Sequence, residues 1–267
     1  MAAAVSPTVQ TLTRPLEVIG SGVIDGLNDL GAVLMFFFRV MTRMFRPPFR
    51  MHVLFTQLEF VGVGSLFIVL LTGVFTGAVF TLQSVDAFAR FSAQSLVGAT
   101  VTLALARELA PVLTALMVAG RVGSAMATEL GTMRVTEQID AMEVMAVDPL
   151  GYLVAPRVFA GAFMVPLLTM LFIMVGVAGS YLVAVIFSGI DEGAYMARIE
   201  RWLDPSDLFQ GLSKALVFGT VVALIGCYKG FHAAGGARGV GQATTGAVVI
   251  GSIAIFVLNY FLTALWL

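Results

Sequence analysis

The chain has 267 residues, 59% of them apolar and only 12% charged, with a net charge of −1 and a mean hydropathy of +0.97. Soluble domains run near 45–50% apolar and about 25% charged, so the composition excludes an ordinary water-soluble fold and makes the bilayer the solvent. One cysteine, Cys227, excludes an internal disulfide and any cysteine-based metal site, and no basic aromatic surface for nucleic acid is visible.

Taken in chain order, the first basic residue is Arg14 and no compact apolar core precedes a cleavage site, so no signal peptide is expected. Residues 16–50 mix apolar positions with Glu17, Asp25 and Asp29, then carry Arg39 and Arg43 one turn apart before Pro47 and Pro48 break the pattern. This predicts an amphipathic helix lying on the inner membrane surface. Phe60 to Leu82 (23 residues), Val158 to Ile190 (33) and Gly239 to Leu267 (29) carry no charge, and about 20 apolar residues suffice to cross a bilayer. Ser92 to Gly120 is a further candidate interrupted by Arg107 and Glu108, and Leu208 to Tyr228 another interrupted by Lys214, which lies near enough to an end to snorkel. Five spans are therefore expected, over 58–83, 92–120, 156–190, 208–231 and 243–267. The 33-residue run would be roughly 50 Å long as one helix against a hydrocarbon core of about 30 Å, so it must protrude, tilt or bend, and Pro166 is the place for a bend.

With the N-terminus inside, the inner segments hold Arg14, Arg39, Arg43, Arg46, Arg50, Arg121, Arg134, Arg157, Lys229 and Arg238. The outer ones hold Arg90, Arg198, Arg201 and Lys214, so the basic residues favour this orientation. No internal repeat is evident, and five spans make a poor pathway alone; two copies about a twofold axis would make a better one. His52 and His232 sit at inner edges without metal-ligand spacing, and the Gly235–Gly241 stretch GGARGVG lacks the ending of a phosphate loop and reads as a flexible inner loop.

Three polar features stand out against this background. In LALARELAPVL, Arg107 and Glu108 lie inside a span, where a charge costs roughly 3 kcal/mol and must face a partner or a wet cavity. Neighbouring helical residues point about 100° apart, so the two should not pair with each other, and Pro111 leaves the Arg107 carbonyl without its helical donor, open to water or a headgroup. In AGRVGSAMATELG, Gly120, Gly123, Ser124, Ala125 and Ala127 permit close helix packing. The stretch Arg134 to Pro149 then predicts a short cytoplasmic helix over 129–147, with an apolar stripe of Val135, Ile139, Met142 and Ala146 and a second stripe of Glu137, Asp140 and Glu143. Asp148 and Pro149 read as N-cap and first-turn proline of the next helix. So polar a surface on so charge-poor a chain suits docking to a cytoplasmic protein. The outer loop brings Phe88 and Phe91 near Phe80, suggesting either an aromatic mouth above Arg107, Glu108 and Leu109 that could hold a two-tailed lipid, or an outer interfacial belt of Phe residues with Arg107 and Glu108 as buried structural pairs.

Arg107 to Leu150 resembles the signature region of the MlaE (YrbE-type) permeases, and the likeness extends to GVFTGAVFTLQ at Gly73–Gln83, PRVFAG at Pro156–Gly161, YKGF at Tyr228–Phe231 and the TALW ending. Some of it resembles the actinobacterial branch (FRPPF, CYKG) and some the Gram-negative phospholipid branch (RELAP). The resemblance implies an all-α integral membrane permease of the bacterial inner membrane: five transmembrane helices, an N-terminal interfacial helix and a cytoplasmic coupling helix. It further implies a homodimer bound to two ABC ATPase subunits and to an extracytoplasmic MCE-domain lipid carrier. Arg134, Glu137, Gln138, Asp140 and Glu143 would dock the ATPase, and Phe80, Phe88, Phe91, Arg107, Glu108 and Leu109 would line a lipid cavity. No cofactor is expected in this chain, since ATP and magnesium would belong to the partner. From the residues alone a channel or proton-coupled carrier titrating Glu108 stays open as the alternative, and an intramembrane enzyme lacks a usable His, Cys or Ser constellation.

Overall fold

The computed structural model describes residues 31–44 and 51–266, together with Ile24 and Asn28; the rest of the expected interfacial helix lies outside the described residues. Residues 31–44 form helix α1. There follow α2 (Met51–Ala89), α3 (Gln94–Val135), α4 (Gln138–Val144), α5 (Leu150–Phe187), α6 (Glu192–Trp202), α7 (Pro205–Phe231) and α8 (Gly236–Trp266). Five of these, α2, α3, α5, α7 and α8, are long and apolar enough to cross a membrane, and the described residues contain no strand. The chain is an all-α, multi-pass membrane protein. Its helices alternate in direction, so α4 and α6 mark opposite ends of the bundle.

Glycines set how closely these helices approach. A Cβ on Gly77 would strike the Gly176 carbonyl, and one on Gly179 the Val74 carbonyl, so α2 and α5 run side by side with backbones in contact. A Cβ on Gly161 would come within 2.7 Å of both the Gly219 carbonyl and Ala223 Cβ, which locks α5 against α7. Along α7, Gly226 sits on Gly123 and Gly230 on Ala127, which fixes α3 beside it. Small residues thus give in lipid the dispersion contact that hydrophobic burial supplies in water. Helix α8 is attached differently. Its Gly251 meets only Ala119 Cβ, at 3.9 Å, and its outward face exposes Val249, Ile253, Phe256, Val257 and Phe261, as α2 exposes Phe67, Leu71, Phe75 and Leu82.

The α6 end is closed by a buried hydroxyl chain. Thr81 Oγ1 donates to Ser180 Oγ at 2.6 Å, and Ser180 Oγ lies 2.9 Å from the hydroxyl of Tyr195, which α6 inserts fully into the bundle. Burial pushes the Tyr195 phenol above its usual pKa, so it stays a neutral hydrogen-bonding group. The Asp191 side chain caps α6 by accepting from Ala194 N at 2.8 Å.

Helix α5 is continuous through Pro166 for 38 residues, with wide π turns at Leu150–Val154 and Leu182–Phe187. Two local expectations change. The stretch expected as a flexible loop, Gly235–Gly241, turns at Gly235 (φ 89) and Gly236 (φ 68) and from Gly236 onward is the start of α8. Glycine supplies the left-handed turn there, and the following residues have no reason to leave the helix. Asp148 directs its carboxylate to Arg43, at 3.2 Å, instead of capping α5; Pro149 does open that helix.

Candidate functional site

Near the α6 end, three helices meet around four charges. Arg107 donates to Asp207 Oδ1 through Nε at 2.8 Å and Nη2 at 2.6 Å, while Asp207 Oδ2 accepts from Asp204 N as part of the capping box that starts α7. Lys214 is fully buried, and each of its three ammonium protons has an acceptor: Glu108 Oε1 at 2.7 Å, Thr263 Oγ1 at 2.8 Å and the Arg107 carbonyl at 3.1 Å. Asn259 Nδ2 completes the ring by donating to Glu108 Oε2 at 3.0 Å. Lys214 therefore does not snorkel outward, as its place near a helix end suggested. It turns inward because Pro111 frees the Arg107 carbonyl and Glu108 offers an anion beside it. A lysine with three acceptors inside the bundle does better than one with its chain stretched to water.

The wide π turn at Leu105–Leu109 makes this possible, because it presents Arg107 to Asp207 and Glu108 to Lys214 at the same level of α3. Asp207 and Lys214 stand two turns apart on one face of α7, and Asn259 and Thr263 one turn apart on α8; that spacing was the available signal for partners which reading the Arg107–Glu108 interruption alone did not reveal. The cluster is asymmetric. The Asp207 side chain is 4% exposed, whereas that of Arg107 is 48% exposed, so the guanidinium is held along one edge and open along the other. The cluster lies toward the helix ends, since Asp207 is in the first turn of α7 and Thr263 in the last turn of α8.

Of the remaining residues expected in the cavity, Phe80, Phe88 and Leu109 are partly buried and pack against the core, while Phe91 is exposed in the turn after α2.

At the α4 end the charges are arranged otherwise. Helix α3 stops at Val135, Glu137 takes a left-handed conformation (φ 59), and α4 begins at Gln138. The three acids therefore straddle a break: Arg134 forms an ion pair with Asp140 across it, leaving Glu137, Gln138 and Glu143 exposed. Of the apolar stripe, Ile139 is fully buried and Val135 and Met142 partly so; Ala146 is instead exposed with φ 58, where the chain reverses out of α4. Val144 and Met145 project beside the acids, 88% and 66% exposed. Two left-handed non-glycine residues thus bracket one seven-residue helix, a placement that costs free energy and clusters at functional segments. Two pairs tie its surroundings: Arg43 with Asp148, and the buried Arg157 with Glu129 at 2.9 Å. Arg121, between α2 and α3, donates to the Phe60 carbonyl at 3.1 Å and Ser65 Oγ at 2.9 Å, with the Phe60 ring beneath it at 5.3 Å. Sequence reasoning assigned Arg121 and Arg157 to the inner boundary only as contributors to its positive charge.

Comparison with known proteins follows the same outline. The family model described as Permease MlaE matches residues 54–265. A probable ABC transporter permease protein of Rickettsia felis is 44% identical over 248 residues, covering 93% of this chain and 96% of that one. A probable ABC transporter permease protein of Synechocystis is 46% identical over 211 residues, covering 79% and 80%. The intermembrane phospholipid transport system permease protein MlaE of Haemophilus influenzae is 39% identical over 253 residues, covering 94% and 96%.

Proposed function

Starting from the fact that this chain belongs to the MlaE family of ABC transporter permeases, we propose that it moves phospholipid between the bacterial inner membrane and an extracytoplasmic MCE-domain carrier. In this reading two copies form the pathway, two cytoplasmic ATPase subunits drive it, the N-terminus and α4 are cytoplasmic, and α6 is extracytoplasmic. The phospholipid assignment draws on the Haemophilus relative, whose name states that substrate.

The observation that carries the reading is the polarity of the bundle: a projecting, strained charged tip at one end and a half-exposed guanidinium at the other. The tip combines acids, for attraction to a basic groove, with Val144 and Met145, which need a cover. The open edge of Arg107 has free donors in a fork suited to a phosphodiester, with apolar helix surface alongside for acyl chains. The chain supplies no reacting group in this account. It binds, orients and transmits movement, while hydrolysis belongs to the partner.

Reversing Glu137 and Glu143 to Lys should abolish recovery of the ATPase in a pull-down from membranes while leaving the permease inserted and its melting temperature unchanged. Photo-crosslinkers at Leu109 and Phe91 should capture labelled phospholipid above the level seen at Phe256 on the outer face of α8. Undiminished ATPase recovery would remove the docking assignment, and equal labelling at all three positions would remove the lipid pathway.

A further inference from the structure

Helix α4 joins the ends of α3 and α5, and it is hinged at both of its own ends by the left-handed residues Glu137 and Ala146. A short helix on two hinges can rock without moving the bundle, so a push on α4 does work on α3 and α5 only if something makes those two helices answer together. At the opposite end they are packed near one another. At the α4 end they are not: the Ser124–Val135 stretch of α3 and the Ala155–Tyr181 stretch of α5 hardly approach, and each rests instead on α7, through Gly123 and Ala127 on one side and Gly161 on the other. Among the described residues, the ion pair from Arg157 Nη2 to Glu129 Oε1 at 2.9 Å crosses that gap.

The tie is built with care for its geometry. The Arg157 side chain is 4% exposed, and its second nitrogen, Nη1, donates to the Leu153 carbonyl at 2.6 Å, within the reach of the wide π turn with which α5 begins. The guanidinium is therefore fixed to the backbone of α5 on one side and to Glu129 on the other. The Glu129 side chain, by contrast, is 55% exposed, so the carboxylate could be satisfied by water without Arg157. Arg157 Nε has no partner although it is buried. A buried cation that leaves a donor unsatisfied is a costly way to fasten two helices when close glycine packing serves the other seams, and such a charge persists where its position matters.

We propose that Arg157 is a positioning residue for energy coupling: through Glu129 it makes the ends of α3 and α5 move as one when α4 is displaced. This rests on the reading of α4 as the ATPase-docking helix. Arg134 with Asp140 ties α4 to α3, and Arg157 with Glu129 passes the displacement across to α5. Loss of the pair leaves docking and ATP hydrolysis in place and lets α4 rock idly.

The test is the amount of lipid transferred per ATP hydrolysed by the whole complex in proteoliposomes of phosphatidylethanolamine and phosphatidylglycerol, for Arg157→Gln, Arg157→Lys, Glu129→Gln and Glu129→Asp. ATPase recovery is measured alongside, and its persistence after reversing Glu137 and Glu143 to Lys would overturn the docking reading on which this proposal rests, a result distinct from an unchanged ratio in the variants of the pair. Expected is normal ATPase recovery with lipid transfer per ATP reduced at least tenfold in Glu129→Gln and Arg157→Gln. Glu129→Asp should regain most of the ratio, and Arg157→Lys, which keeps the charge but cannot hold Leu153 and Glu129 together, should fall between. An unchanged ratio in Glu129→Gln overturns the proposal. So does failure of both neutral variants to assemble, since the pair would then be a structural fastening only. If Arg157→Gln alone fails to assemble, the exposed position of Glu129 lets Glu129→Gln decide.

Discussion

The two charged regions of this molecule use the same kinds of side chain to opposite ends. In the four-charge cluster near α6, Lys214 has no exposed surface and Asp207 almost none, and Arg107, Glu108, Asp207 and Lys214 each have a partner of opposite sign. Around α4, Glu137 and Glu143 are exposed, and the ion pairs Arg134–Asp140 and Arg43–Asp148 are each at least one-third exposed on both sides. A charge removed from solvent is committed to its partner, because separating the pair leaves an uncompensated ion in a medium that cannot solvate it. A charge in water is replaceable, because solvent and counterions take over. The first region should therefore hold the bundle together and the second should be free to meet another protein. Arg107 and Glu108 share features of both kinds, each held by a buried partner and partly open to solvent.

The contrast breaks most visibly at Lys214. Lys214→Met should destabilise the solubilised permease by about 3 kcal/mol, a fall of roughly 5–10 °C in melting temperature, because Glu108, Thr263 and the Arg107 carbonyl lose one donor together. Adding Glu108→Gln should recover part of that loss, since the orphaned carboxylate goes too; strictly additive effects would mean that the two residues do not act as a unit. Next in size is Arg107→Gln, which takes two hydrogen bonds from Asp207 but leaves the bond from Asp204 N. A cost of about 2 kcal/mol is expected in denaturation, together with loss of phospholipid crosslinking at Leu109. The smallest effect belongs to Asp140→Asn, which breaks an ion pair with 36% and 49% side-chain exposure and should change stability by less than about 1 kcal/mol. A loss at Asp140 comparable to that at Lys214 would erase the distinction between the two regions.

Particular residues show how far the sequence could be read. Three of the five spans were legible because an uncharged run of more than twenty residues has few other uses in a protein, and the observed helices cover most of each run. That Arg107 and Glu108 need separate partners was legible from their adjacency on a helix. The identity of those partners was not, since Lys214 near a span end looks the same whether it turns outward or inward. Arg157 stayed hidden among the basic residues of the inner boundary, because one-dimensional counting assigns a charge to a side of the membrane and not to a depth in the bundle. The acids around α4 were read as one stripe, and the left-handed residue at Glu137 divides them; nothing in a glutamate announces positive φ.

What the sequence determined by itself is therefore the solvent, the number of crossings and the place where charge is spent at a visible cost. These depend on composition and on periodicity along one helix, both local properties. What only the tertiary structure decided is which charges are mutually committed and which remain open. That depends on glycine contacts between helices far apart in the chain, such as Gly77 with Gly176 and Gly161 with Gly219, and on the wide turns that rotate Arg107 toward one neighbour and Glu108 toward another. Burial of an ion is a property of everything packed around it, and in the cluster near α6 Arg107 and Glu108 find their charged partners about a hundred positions away in the chain.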